Sequence, residues 1–344
     1  MHDLTGAGQT LLQATFARLA PLAASCVLVT GEKHVAACRQ QLPQLGDADV
    51  LAEPSPRDSM AAIGLAAAVL QQRHGDVIVG SFAADQIINS KRAFEATVRE
   101  AVAAAREGYV VTIGIAASRP SVAFGYVQSG APLGVADAPT ALHAVGFTEK
   151  PDAATARAYV ASGDYRWNAG MFITRTSVLL GHLAEQRPAL HAGLIEIAAA
   201  WDTPARSEVM ARVWPGLERI AIDHAIAEPV AAAGGVAVVP GTFAWDDIGD
   251  FNSLAGLLPA IDERGNKVVG DPAACSGGVG DVIRIEAGGT VVVPNSGRVI
   301  SLLGVDDLVV VDTPDALLIT TRARAQQLKD VVDAVRESGF EELL

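Results

Sequence analysis

Cysteine, positive charge and long apolar runs are all scarce in this sequence, and each shortage excludes something. Only three cysteines, Cys26, Cys38 and Cys275, occur in 344 residues, and none forms a CxxC pair. That leaves no disulfide framework, and a reducing cytoplasm is the simplest setting. Lysine and arginine total 26 against 39 aspartates and glutamates, a net charge of −13. With no Lys/Arg run, the electrostatic footprint of a duplex-binding protein is missing, and no nucleic-acid partner is expected. A phosphorylated small molecule can still bind if metal ions and a few placed cations offset the repulsion. The longest apolar stretch, Ala61–Leu70, falls well short of the roughly 20 residues a membrane helix needs. No basic segment followed by an apolar one opens the chain, so neither secretion nor a membrane partner is indicated. Motifs of covalent catalysis are missing too. No Ser-His-Asp pattern, nucleophile elbow, P-loop or HExxH occurs, and the seven histidines are scattered.

What is present is apolar. Half the residues are hydrophobic and 19% are charged, which argues against disorder and for a sizeable core. The length suggests two domains at roughly 150 residues each. Ser25–Thr30, Val77–Ser81 and Tyr109–Ile115 are apolar on both faces, as buried parallel strands are. Between them Lys33–Gln41, Asp58–Arg73 and Ser90–Glu107 read as helices, with Asp58 and Ser90 as candidate N-caps. In the last, Phe94, Val98, Ala101, Val102 and Ala105 make one apolar stripe. This alternation predicts a doubly wound α/β sheet.

The middle of the chain is less regular. Strands are expected at Phe124–Gln128, Ala144–Thr148 and Met171–Thr174, with helices from Ala153, Ser177 and Pro204. Past Pro259 the texture changes to short strands at near-regular spacing: Asn266–Val269, Asp281–Ile285, Thr290–Val293, Val299–Leu303, Leu308–Asp312 and Ala316–Thr320. That is the pattern of a β-solenoid or small sheet, closed by a helix at Arg322–Glu337. The expected domains are residues 1–259 and 265–344, the second small and β-rich.

Candidate site residues sit at the ends of the apolar strands. Asp85 follows VIVGSFAA, Glu149-Lys150-Pro151 follows AVGFT, Asn168-Ala169-Gly170 precedes MFIT, and Trp245-Asp246-Asp247 follows VPGTFA. Any one of these could be an ordinary turn former. Carboxylates at strand C-termini also suit a hard divalent cation such as Mg²⁺, which takes one or two of them plus phosphate oxygens.

The ordered series EPSPRDSMAAI (53–63), SFAADQII (81–88), FGYVQSG (124–130), VGFTEKPD (145–152), WNAGMFI (167–173), IDHAIAEP (222–229) and WDDIGDF (245–251) resembles the mannose-1-phosphate guanylyltransferases. The resemblance runs from residue 11 to residue 333. It implies a Rossmann-like nucleotide-diphospho-sugar transferase fold with a mixed sheet and a β-helix-like tail. It also implies a cytoplasmic enzyme, with a homodimer as the expected assembly, that makes GDP-mannose and pyrophosphate from GTP and mannose 1-phosphate. By resemblance Asp85 and Asp247 are the metal ligands. Lys150 meets the sugar phosphate, and Glu149 accepts hydrogen bonds from sugar hydroxyls. Asn168 and Gly170 line the hexose, with Asn168 offering both donor and acceptor. Gly125 allows a close approach of the chain, and Arg57 borders the nucleotide, unless it merely pairs with Asp58. Asp223 and Glu228 fall in a matched segment without an assigned role. Trp167 and Trp245 are read as packed aromatics bracing two loops, and His34 and His224 as ordinary surface or core histidines.

Two departures stand out. Gln86 occupies a position that is usually His, a change expected only to tune activity. The family's first strand and its Gly-rich GGxGTRLxP-type loop have no counterpart, and Gly6 and Gly8 do not replace them. That loop would cradle the triphosphate, so its lack is expected to cost about 10²–10³ or more in rate. It should also leave neighbouring strands with unpaired edges. The expectation is a reading frame that starts upstream of Met1; the alternative is an inactive sugar-phosphate-binding or regulatory relative.

Overall fold

The structure is a computed structural model that describes residues 8–247, 254–256, 258–269 and 282–340. Gly6, Ile248, Gly249, Phe251, Cys275 and Asp281, all part of the sequence reading, lie outside the described residues. The chain divides into two units, one of Thr15–Ala83 and Ile88–Trp245, the other of Met1–Ala14, Ala84–Ile87 and Asp246–Leu344.

The stretch from residue 11 to residue 247, most of it in the larger unit, alternates strands and helices. It runs α1 (Leu11–Leu19), β1 (Leu28–Gly31), α2 (Val35–Gln41), β2 (Val50–Glu53), α3 (Asp58–His74), β3 (Ile78–Ser81), β4 (Gln86–Ile88), α4 (Lys91–Arg106) and β5 (Val110–Ala116). There follow β6 (Tyr126–Pro132), β7 (Leu142–Thr148), α5 (Ala153–Ser162), β8 (Tyr165–Arg175), α6 (Thr176–Gln186), α7 (Pro188–Ala200) and α8 (Arg206–Val213). A π-helical turn at Asp223–Ala227 leads into α9 (Glu228–Ala232), then β9 (Val236–Gly241) and β10 (Trp245–Asp247). Six strands form a mixed sheet in the order β3-β8-β5-β9-β7-β6, in which β5 and β9 are parallel and the other neighbours antiparallel.

Strand alternation sorts side chains to two cores, as a period of two requires. Val110, Phe172, Val236 and Val238 face a cluster with Met60, Leu65, Leu183, Leu194 and Trp214. Their neighbours Val111, Ile113, Ile173, Ala237 and Val239 face Phe94, Val98 and Ala101 of α4. Helix α3 presents mostly small buried residues, among them Ala61, Gly64, Ala67 and Ala68. They let α7 lie close, since a Cβ on Gly64 would stand 2.6 Å from Leu194 Cδ1. Helix α5 is capped by Asp152, whose carboxylate accepts the Thr155 amide at 2.8 Å, and stops at Gly163 with φ +77°.

Several expectations need correction. Apolar character on both faces predicts a parallel strand at Val77–Ser81, but β3 pairs antiparallel with β8. The strand expected at Met171 starts at Tyr165, so Trp167, Asn168 and Gly170 lie inside a strand rather than before one. Asp58 is the first residue of α3 with φ +66°, not its N-cap, and Ser90 caps α4 by position without a side-chain bond. Helix α7 and strands β2, β4 and β10 have no counterpart in the sequence pattern. Among the described residues β1 bonds only β2 and β3 bonds only β8, so each keeps an unpaired edge.

The second unit holds β11 (Lys267–Val268), β12 (Val282–Ile285), β13 (Val291–Pro294), β14 (Ile300–Leu303), β15 (Leu308–Asp312), β16 (Leu317–Thr321) and α10 (Leu328–Glu337). Parallel pairings join Val282 to Ile300, Val291 to Val309 and Gly288 to Asp306, each 18 residues apart. A constant offset is the mark of a solenoid coil. Its interior is aliphatic, with Val282, Val292, Leu302 and Val310 buried together. Asn266, 1% exposed, closes one corner. Its Nδ2 donates to Asp262 Oδ2 and Ala287 O, and its Oδ1 accepts the Thr290 amide. Among the described residues no helix is long and apolar enough to cross a membrane.

Trp214 ties the large unit's core to the loop that follows β2. It is fully buried, and its indole N–H donates to Ser55 O at 2.9 Å. Trp214→Ala is expected to cost about 3–5 kcal/mol of stability, readable as a fall in the chemical-denaturation midpoint.

Candidate active site

The predicted sugar-side residues of the large unit converge on Asn168. This residue sits in β8 opposite Gly114 of β5 and is 7% exposed. A buried amide must satisfy its polar atoms, and here each partner can be named. Asn168 Oδ1 accepts the Thr112 hydroxyl at 2.6 Å and the Gly170 amide at 3.1 Å. Asn168 Nδ2 donates to Asp223 Oδ1 at 2.8 Å, and its backbone N–H donates to Gly125 O at 2.8 Å. Both lone pairs of the side-chain oxygen are therefore used. The Thr112 hydroxyl lies nearer Asn168 Oδ1 than Met171 O, at 3.2 Å, and with the oxygen so engaged Asn168 offers a ligand its remaining N–H. Gly170 holds φ +67°, a left-handed value that favours glycine, and this turns its N–H back toward Asn168.

Glu149 and Lys150 follow β7. Lys150 Nζ lies 2.9 Å from Glu149 Oε1, and that hydrogen bond holds the lysine pKa above its usual range. Lys150 takes φ +45°, uncommon for a non-glycine residue and a cost met where surrounding structure fixes the backbone. The Glu149 amide donates to Glu228 Oε1 at 3.3 Å, and Glu228 Oε2 lies 2.9 Å from His224 Nδ1. The bond to Glu228 also raises the His224 pKa, so this exposed histidine is an ion-pair partner. Gly125 lies against this carboxylate. A Cβ there would come within 2.5 Å of Glu149 Oε2, so the glycine makes room for the carboxylate itself.

Asp223 is the residue whose role sequence reasoning leaves open. It begins the π-helical turn, between its partner Asn168 of β8 and the Glu228 pair. Burial, reinforced by the Glu149 charge, pushes its pKa up to about 6. π-Helical turns are rare and recur at functional sites, a structural signal with no counterpart in sequence periodicity.

Other predicted residues lie around this cluster or apart from it. Arg57 does not pair with Asp58; its Nη2 donates to Pro215 O at 2.5 Å, fastening the loop after β2. Phe124 packs edge-on against Trp167 at 5.2 Å and Trp245 at 5.0 Å, so the two tryptophans are braced through one ring. Arg119 lies over the Trp167 ring at 5.3 Å. Asp85 and Asp247 belong to the second unit. Asp85 precedes β4 and Asp247 ends β10, and these two strands pair with each other. His34 closes a short 3-10 turn and is exposed. Among the described residues no three His, Cys, Asp or Glu side chains group as a metal site.

Comparison with known proteins adds two family models, two curated relatives and a solved structure. The nucleotidyl transferase family model matches residues 4–264, and a model described as MannoseP isomerase/GMP-like beta-helix domain matches residues 280–335. The xanthan biosynthesis protein XanB of Xanthomonas campestris pv. campestris (strain B100) is 35% identical over 340 residues, 97% of this chain and 68% of that protein. Mannose-1-phosphate guanylyltransferase of Escherichia coli (strain K12) is 34% identical over the same shares. A crystal structure from Thermus thermophilus, called mannose-1-phosphate geranyltransferase, superposes with a TM-score of 0.78 at 29% identity, covering 96% of this chain and 90% of that one.

Gly125→Ala tests the close approach. The added methyl must displace the Glu149 carboxylate, a movable side-chain end, so stability should fall by less than about 1.5 kcal/mol. A crystal structure of the variant is expected to show the Glu149–Lys150 pair opened or rotated.

Proposed function

The chain belongs to the nucleotidyl transferase family, and from that premise we propose that it is a mannose-1-phosphate guanylyltransferase, forming GDP-mannose and pyrophosphate from GTP and mannose 1-phosphate. The observation that carries this reading is the Asn168-centred cluster. It combines a fixed amide donor with a carboxylate acceptor in Glu149 and a cation in Lys150. A hexose 1-phosphate presents the matching groups, hydroxyls beside a phosphate.

In the reaction a sugar phosphate oxygen attacks the α-phosphorus of GTP in line, the bond to the β-phosphate oxygen breaks, and pyrophosphate departs. No covalent protein intermediate is needed, in keeping with a chain that lacks nucleophile motifs. Asn168 and Glu149 orient the hexose by hydrogen bonds to its hydroxyls, and Lys150 holds the phosphate by charge. Positioning of this kind supplies much of the barrier reduction in phosphoryl-type transfers.

The cation expected is Mg²⁺, held by Asp85 and Asp247. Two carboxylates fit its preference for few protein ligands, leaving positions for water and phosphate oxygens. When bound, the ion neutralises charge on the phosphate oxygens. Arg57 borders the nucleotide in this reading. A homodimer and a cytoplasmic setting come with the family.

A pyrophosphate-release assay with GTP and mannose 1-phosphate is the test. Mg²⁺-dependent turnover is expected, with at least about a hundredfold loss in Asp247→Asn, an oxygen ligand exchanged for a neutral amide. Sugar-phosphate binding without turnover would overturn the enzyme reading, and equal Mg²⁺ dependence in Asp247→Asn would overturn the metal assignment.

A further inference from the structure

Asp223 stands out among the charged groups that the proposed reaction does not use. It lies at the start of the π-helical turn, its Oδ1 accepts the Asn168 side-chain amide, and no side chain among the described residues reaches its Oδ2. The groups that face it carry both signs. Glu149 opposes its ionisation, and Lys150 and His224 favour it. His224 is itself paired with Glu228, which also accepts the Glu149 amide, and Asp58 acts on Lys150 from the start of α3.

A carboxylate held largely buried beside another carboxylate is unfavourable for the fold on its own. A neutral acceptor such as asparagine or serine could hold the Asn168 N–H without that penalty. What an ionised acceptor adds is a stronger, directional bond to the amide it holds. Asn168 has two alternatives for its amide plane, related by a flip. With Thr112 and Gly170 donating on one side and Asp223 accepting on the other, only one of them satisfies every partner.

We propose that Asp223 is the positioning residue of the sugar site, its carboxylate locking the Asn168 amide so that one N–H points to the hexose, and that neutralising Asp223 loosens sugar 1-phosphate binding. The substrate identity rests on the reading above; the coupling of Asp223 to Asn168 does not. A pKa of about 6 places the switch within a usable range: above it the lock is set, below it the charge is lost. The sign for stability is opposite. The folded chain holds this proton more tightly than the unfolded one, so ionisation between about pH 4 and 6 removes stability rather than adding it. Function and stability therefore pull in different directions at one carboxylate, as they do at functional sites generally.

The test has two arms. In the first, side-chain amide resonances of selectively labelled Asn168 are followed from about pH 4.5 to 8 in the ligand-free protein. Wild type should titrate with a midpoint near 6, and Asp223→Asn should show no such transition. An Asn168 signal that does not titrate in wild type, or titrates alike in the variant, overturns the lock whatever the enzyme's substrate is. In the second arm, Asp223→Asn should raise KM for mannose 1-phosphate about tenfold or more, leave KM for GTP within about twofold, and melt no lower than wild type at about pH 8. The variant should also lose the part of the KM–pH profile that wild type does not share with the titration of the sugar phosphate itself. Unchanged KM would overturn the link to sugar binding. A raised KM together with a lowered melting temperature would assign Asp223 a structural role instead. If wild type has no turnover at all, the guanylyltransferase reading fails while the first arm still decides the lock.

Discussion

The candidate site depends on one hydrogen-bonding constraint: the side-chain oxygen of Asn168 is already engaged within the protein. Thr112, fully buried in β5, and Gly170, two residues along β8, saturate the oxygen. The nitrogen then has to face Asp223, and one N–H remains for a ligand. Each element around it is placed to keep that arrangement. Thr112 pairs with Phe172 and Gly114 with Asn168 across a register shift between β5 and β8, Gly170 in the left-handed region returns its amide, and Asp223 meets the Asn168 nitrogen from the start of the π-helical turn.

Strand β8 is the common support. It pairs with β5, β3 and β6 along its length, and it carries Trp167 to one face of the sheet while Asn168 points to the other. Phe124 fixes Trp167 on the first face. The next residue, Gly125, accepts the Asn168 backbone amide and leaves room for the Glu149 carboxylate on the second. Packing and polarity meet in two adjacent residues of one loop.

Much of this is legible in the residues themselves. Buried strands at 109–115 and 77–81, the helices at 58–73 and 90–107, and the spaced strands of the tail are written in apolar periodicity, and the helices and most strands appear within a few residues of their expected bounds. The orientation of β3 is not legible, since an apolar run reads the same in a parallel or antiparallel pair. The front half of β8 is missed by a search for continuous apolar runs, although Tyr165, Trp167, Ala169 and Met171 alternate with Arg166, Asn168 and Gly170 in the period-two pattern of a half-buried strand. The motif residues Glu149, Lys150, Asn168 and Gly125 fall into one cluster, whereas Asp85 and Asp247 fall in the other unit. Asp223 could not be given a role from sequence: its partner is 55 residues away, and a π-helical turn leaves no periodic trace.

The most direct measurement is a calorimetric titration of mannose 1-phosphate into the wild-type chain and Asn168→Asp. That substitution keeps an oxygen for Thr112 and Gly170 but removes both Nδ2 protons, the one that Asp223 holds and the one left for a ligand. Saturable one-to-one binding is expected for wild type, weakened about tenfold or more in the variant, as the loss of one hydrogen bond in a desolvated site implies. Equal affinity in the two proteins would contradict a sugar site built on the Asn168 donor.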